Sequence, residues 1–397
     1  MNSIVTLLVL VAAAYAVSFV LSQKSRRSYG LVSGAEFLAI GIVVGPSGLG
    51  FLSEALLEAA APAMAAAAGW LGLRLGLRLL QTARCLGHEA LLLLIEPLVS
   101  AGCIFGLVYG ANALLGLSLS TPVCWALAAV GAPSTRSGVL WVLDRGARGP
   151  LTTRLQGLTQ IDDTVSVLLL GALFAAMPLS GNGLGAWEKL GATVALGLTL
   201  AGMATVLIGR ERLRSAIAWL ALLGLSALGT GLSLRLGISS VAVAALFGSG
   251  LGATCRHASE VEALTEATER PLIQVLLVLL AAQLSFDTRL VFVAVLIAAL
   301  RMAAKLLGGS VLHLLRRDSG ADPWMGAATL SCGGLTTAMV LSLGQALGAD
   351  AQLLLWAFVA CSLLGDLLGS RMLVALLRRK GELAINGAGQ SSRTMEG

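Results

Sequence analysis

The chain has 397 residues, of which 57% are hydrophobic and only 12% charged, with a mean hydropathy of +0.87. A soluble domain carries about 25% charged residues, so composition excludes a soluble globular protein and implies an all-α polytopic membrane protein. The net charge of +6 needs no nucleic acid, because basic loops facing anionic lipid account for it.

A spanning helix needs about 20 apolar residues, and the sequence divides into thirteen candidate spans. In chain order they cover residues 3–22, 31–52, 57–80, 89–115, 120–142, 152–177, 186–208, 213–234, 238–254, 270–286, 290–314, 322–346 and 351–377. The first has no basic stretch before it and reads as a retained helix, not a cleaved signal peptide. Lys24, Arg26 and Arg27 follow the first span, Arg145 and Arg148 the fifth, and Arg378, Arg379 and Lys380 the last. The loops on the other side hold only Lys189, Arg235 and Arg289. The positive-inside rule then places the N-terminus outside and the C-terminus in the cytoplasm, as expected in an inner (plasma) membrane. The polar loop 256–270 reads as a surface helix, and residues 381–397 as a short disordered cytoplasmic tail.

Several chemistries are absent from the sequence. Six cysteines form no CxxC or His-paired cluster, so they read as small buried residues, with no structural metal and no cofactor. No GxxxxGK[ST] occurs, and no GxGxxG follows a soluble strand, so no nucleotide is expected to bind and no ATP to be hydrolysed. The chain reads as a non-enzyme whose energy source, if transport is active, is an ion gradient.

The most informative residues are Asp162 and Asp163, inside the apolar run GLTQIDDTVSVLLLGALFAAM. A carboxylate costs about 2.5–3.5 kcal/mol at the centre of a membrane helix on insertion scales. Two in succession must face a protein interior or a wet cavity, and intramembrane acids mark ion sites by default. The preceding span is interrupted by Gly131, Pro133, Ser134 and Thr135, and the span 322–346 by Ser331, Gly333, Gly334, Thr336 and Thr337. The second interrupted span precedes one that carries Asp366. The two sets lie about seven spans apart and run in opposite directions, which makes an inverted repeat. Broken helices at corresponding positions of two halves point to a binding site at the midplane, where unwound carbonyls and hydroxyls offer hard oxygen ligands to a small cation. In the span 290–314, Arg301 and Lys305 stand four apart on one helix face. Lys305 beside Asp162 would form an ion pair that an entering cation could break; the alternative is a purely structural salt bridge.

These residues together resemble the monovalent cation/proton antiporter superfamily, in the branch of the bacterial sodium/proton and potassium/proton exchangers. GAEFLAIGIVVGPSGLGFL is similar to that branch's G-E-x-x-x-G-x-x-x-G-P-S-x-L-G signature, with Ala35 inserted before Glu36. GAPST and LSCGGLTTA resemble its two crossovers, QIDDTVSVLLL its ion-site helix and AAKLLGG its lysine helix. The resemblance implies a homodimer with elevator-type alternating access. It implies a core domain, here spans about 89–177 and 290–377, and a dimerisation domain, about 1–80 and 186–286, within a single transporter domain 1–380. It also implies that Asp163 binds the cation or proton, that Asp162 pairs with Lys305, and that Thr135 lies near the ion; Asp-Asp members tend to be electrogenic. Four features depart from the family pattern: Arg136 directly after Thr135, Arg301 one turn before Lys305, Asp366 with Arg371 in the last span, and Glu96 before Pro97. Arg136 with Asp366 is an expected structural pair. The expected activity is exchange of Na+, or alternatively Li+ or K+, for protons. The other readings are an inverted-repeat organic-anion transporter using Arg136, and a non-transporting channel or sensor.

Overall fold

The computed structural model describes residues 34–86, 92–177, 183–209, 215–315 and 322–383. The span predicted at 3–22 and residues 384–397 lie outside them. All regular structure among the described residues is helical. Among the described residues seven helices are long and apolar enough to cross a membrane, and the chain is an integral membrane protein.

The helix α1 (Ala35–Val44) ends where Gly45-Pro46 begins, as expected for a residue preceding proline. Its glycines carry its packing. A Cβ on Gly41 would strike the Val278 carbonyl, and one on Gly45 would lie 2.7 Å from the Ala282 carbonyl. Small residues four apart let helix backbones approach, and α1 thereby lies directly on α10 (Ala258–Ala282). The same device joins α2 (Glu54–Leu86) to α9 (Ser240–Thr254). There Cβ atoms on Gly76 and Gly248 would meet the Ala245 and Leu73 carbonyls. With α7 (Ala186–Gly209) and α8 (Ser215–Leu236), these two helices form a panel whose apolar seam includes Leu73, Leu77, Leu200, Leu222 and Phe247.

The other helices gather around two interrupted ones. The predicted span 120–142 is divided into α4 (Thr121–Gly131) and α5 (Arg136–Leu143). The span 322–346 becomes α12 (Met325–Ala328) and α13 (Gly334–Leu347). Around them stand α3 (Ile95–Leu115), α6 (Pro150–Ala176), α11 (Thr288–Leu315) and α14 (Ala351–Leu364). After α14 the helix widens into a π turn, Gly365–Gly369, before α15 (Ser370–Arg379). The widening falls where Gly365 packs on the unwound residue Leu330, whose carbonyl a Cβ there would strike.

Two boundaries differ from the sequence expectation. The polar loop 256–270 is the first half of α10, which continues through Pro271 into the apolar span. The surface helix read there is thus continuous with the span, which apolar periodicity cannot reveal when the first turns are charged. The tail predicted as disordered from residue 381 first turns back: the Glu382 carboxylate accepts from the Leu151 amide (2.9 Å) and the Thr152 amide (2.8 Å). A carboxylate at the orphan amides of a helix N-terminus is favourable, and it fixes the start of α6.

Gly76→Leu places bulk against the Ala245 carbonyl and is expected to destabilise the protein by at least about 1–3 kcal/mol. Gly102→Ala, whose Cβ meets open space, is the control. Thermal unfolding in detergent reads both.

Candidate ion-binding site

The site begins with a backbone problem. Where α4 stops at Gly131 and the chain unwinds through Ala132-Pro133-Ser134-Thr135, the last carbonyls of the half-helix lose their partners. Leu330, just past α12, stands in the same position in the second interruption. Arg301, 2% exposed, serves both. Its Nε donates to the Gly131 carbonyl (2.8 Å), Nη2 to Pro133 (3.0 Å) and Nη1 to Leu330 (2.5 Å). A guanidinium suits this because it offers five donors in a rigid fork, and its charge opposes the negative dipole ends of the half-helices.

The two unwound stretches also touch directly. The Thr135 amide donates to the Ser331 carbonyl (2.8 Å). Gly333 lies so near that a Cβ there would sit 2.8 Å from Thr135 Oγ1. Thr135 caps α5, accepting from the Ser137 amide (3.3 Å), and its hydroxyl lies 2.7 Å from that of Ser137. Thr336 accepts from the Gly333 amide (3.4 Å), which starts α13. A Cβ on Gly334 would run into Ile273 of α10.

One turn along α11 from Arg301, the Lys305 ammonium stands among acids. Its Nζ donates to Asp162 Oδ2 (2.9 Å) and Ser134 Oγ (3.1 Å), and lies 3.4 Å from each oxygen of Glu96. Ser134 Oγ donates to the same Asp162 oxygen (2.5 Å). Ser100 donates to Glu96 Oε1 (2.8 Å). Lys305, Asp162 and Glu96 are all fully buried. Asp162 Oδ1 is buried with no hydrogen-bond partner among the described residues. Such an orphan atom is costly unless a proton or cation satisfies it. Asp163, the next residue, is turned roughly 100° around α6 and is only half-buried. The charges acting on it are Asp162, Glu269, Lys305 and Arg78.

The structure therefore brings Asp162, Ser134, Lys305 and Glu96 into contact, with Arg301, Gly131, Pro133, Thr135, Ser331 and Gly333 forming the crossing beside them. Asp366 is held apart, buried on the π turn, where its charge acts on Glu36. The expected Arg136–Asp366 pair is not the dominant interaction of Arg136. That arginine instead lies in the field of Arg78 and of the carboxylates of Glu269, Glu262 and Glu266.

These three glutamates mark a cluster missing from the sequence reading. Arg74 of α2, almost fully buried, pairs with Glu269, and Arg78 lies 3.3–3.7 Å from Glu262, Glu266 and Glu269. The usable signal was spacing: arginines four apart and glutamates at i, i+4 and i+7 each lie on one helix face. Two arginines thus pair with three glutamates.

A buried carboxylate beside an ammonium, where two interrupted membrane helices meet, belongs to a class of fold seen in secondary transporters. In fold the chain is similar to the sodium proton antiporter MjNhaP1 from Methanocaldococcus jannaschii. Against the structure of that antiporter at pH 8 the TM-score is 0.67 at 17% sequence identity, covering 96% of both chains. Against its electron-microscopy structure the TM-score is 0.61 at 18% identity, covering 93% of this chain and 96% of the other. No family model and no curated protein matches the sequence.

Arg301→Ala leaves three carbonyls without their donor and is expected to cost roughly 1–3 kcal/mol for each. Arg301→Lys, which keeps the charge but not the fork, is expected to recover only part of that loss. Thermal unfolding of the detergent-solubilised variants measures the difference.

Proposed function

We propose that this protein exchanges a monovalent cation for protons at the Asp162–Asp163 site, by alternating access. Sodium is the first candidate cation, with lithium and potassium as the alternatives. The observation that carries this reading is the fully buried Asp162, held by Lys305 through one oxygen while the other has no hydrogen-bond partner among the described residues. The fold shared with MjNhaP1, described as a sodium proton antiporter, supports it.

Cation and protons compete for one set of hard oxygens. In acid, Asp163 carries a proton and holds no cation. Ionised, it accepts the cation together with Asp162 and the hydroxyls of Ser134 and Thr135, and Lys305 gives up its contact to Asp162. Either ligand neutralises the carboxylates, and only the neutralised site lets the core move, since a bare buried charge is unfavourable in hydrocarbon. In this reading the core is built from spans 89–177 and 290–377. It moves against a dimerising scaffold of spans 1–80 and 186–286, with the C-terminus cytoplasmic. The two structural arginines do not repel the cation decisively. Arg301 spends its donors on backbone carbonyls, and Arg136 is offset by the α10 glutamates.

Proteoliposomes loaded with a pH-sensitive dye test the proposal. Sodium, lithium or potassium gradients should drive proton movement that falls steeply in acid. Asp163→Asn should abolish it while leaving the protein folded. Undiminished exchange by Asp163→Asn would exclude the site, and cation flux without counter-moving protons would identify a channel.

A further inference from the structure

Lys305 has one more acidic neighbour than its pairing with Asp162 requires. Glu96 approaches it from α3, with both oxygens 3.4 Å from Nζ. We propose that Glu96 is the retaining counter-ion of Lys305: when a cation takes Asp162, Lys305 transfers its contact to Glu96 instead of becoming a lone buried charge. This assignment rests on the cation-exchange reading of Asp162.

Three observations support it. First, the carboxylate is built into place. Ser100, one turn on, donates to Oε1 at 2.8 Å, and both side chains are wholly buried. An unpaired carboxylate does not persist in such a setting, and among the described residues Lys305 is the cation within reach. Second, room for the contact is created by glycine on the lysine helix. A Cβ on Gly308, one turn past Lys305, would collide with Ser100 and lie 3.2 Å from Glu96 Oε1. Third, the two partners of Lys305 come from different helices. Glu96 belongs to α3, which packs along α11, whereas Asp162 is on α6. The Glu96 contact is therefore internal to one helix pair and survives changes at Asp162.

The physical consequence concerns competition. With a single carboxylate, a cation displacing Lys305 would leave an ammonium uncompensated in the interior, which is strongly unfavourable. With Glu96 present, the displaced ammonium keeps an ionic partner, and the cation has less to overcome. Glu96 acts on the cation only through Lys305, as a positioning residue.

A double-mutant cycle tests this directly. Cation affinity is read by cation-dependent thermal stabilisation in detergent, which needs no turnover, for the wild type, Glu96→Gln, Lys305→Gln and the double variant, all at one pH. The wild-type and Glu96→Gln proteins are also compared in proteoliposomes for KM and kcat. Glu96→Gln is expected to weaken the transported cation by about tenfold, to raise KM more than it lowers kcat, and to be partly rescued by Glu96→Asp. In the Lys305→Gln background the same change should alter affinity less than about twofold. Equal weakening in both backgrounds would show a merely structural role, and an unchanged affinity would show none; each overturns the assignment. If Glu96→Gln does not fold, Glu96→Asp takes its place in the cycle with the same expected dependence on Lys305. Absence of exchange by the wild type with every cation would overturn the transport reading itself. Wild-type exchange with no Lys305-dependent effect overturns this assignment alone.

Discussion

A backbone carbonyl in hydrocarbon without a donor costs several kcal/mol, and this protein carries such carbonyls at two interrupted helices. The guanidinium of Arg301 makes both interruptions tolerable with one group, because three of its nitrogens each hold a carbonyl of the crossing. Everything else at the site follows from that tie. The unwound stretches can lie against each other, with Thr135 donating to Ser331. Ser134 reaches Asp162, and the next basic residue on the same face of α11 stands at the carboxylates. The Gly131, Pro133 and Leu330 carbonyls are thereby each given a donor.

A second constraint is closeness. Backbone-to-backbone packing recurs between α1 and α10, between α2 and α9, and between α11 and α12, where a Cβ on Gly326 would strike the Lys305 carbonyl. Without a hydrophobic drive between helices in lipid, such contacts and buried polar ties carry association. The glycines therefore position charge as well as shape: Gly326 and Gly308 set where Lys305 and Glu96 meet. Where the panel helix α2 meets α10, the contact is instead ionic, through Arg74, Arg78 and the three glutamates.

Much of this was legible in the sequence because its signals are local. An acid pair in an apolar run, a proline in mid-span and two basic residues four apart each announce themselves within a few positions. The polar segment 256–270 was read as a helix, but its continuity with the apolar span was hidden by the change from charged to apolar residues at Pro271. The docking of Glu382 onto α6 joins residues some 230 positions apart, which no local pattern encodes. Glu96 was visible as an intramembrane acid, but its contact with Lys305 depends on how α3 packs on α11. The pairing of Arg74 and Arg78 with α10 was missed because the spacing of its glutamates went unread.

The acceptors that Arg301 grips are main-chain atoms, and a main-chain atom carries no residue identity. Replacing a partner residue would leave its carbonyl in place, so no exchange at 131, 133 or 330 can compensate for a change at 301. Among related chains, the contact would leave no paired substitutions. It would register only as an arginine that does not vary while its neighbours drift. Methods that infer contacts from correlated change would be silent about the interaction that holds this crossing together.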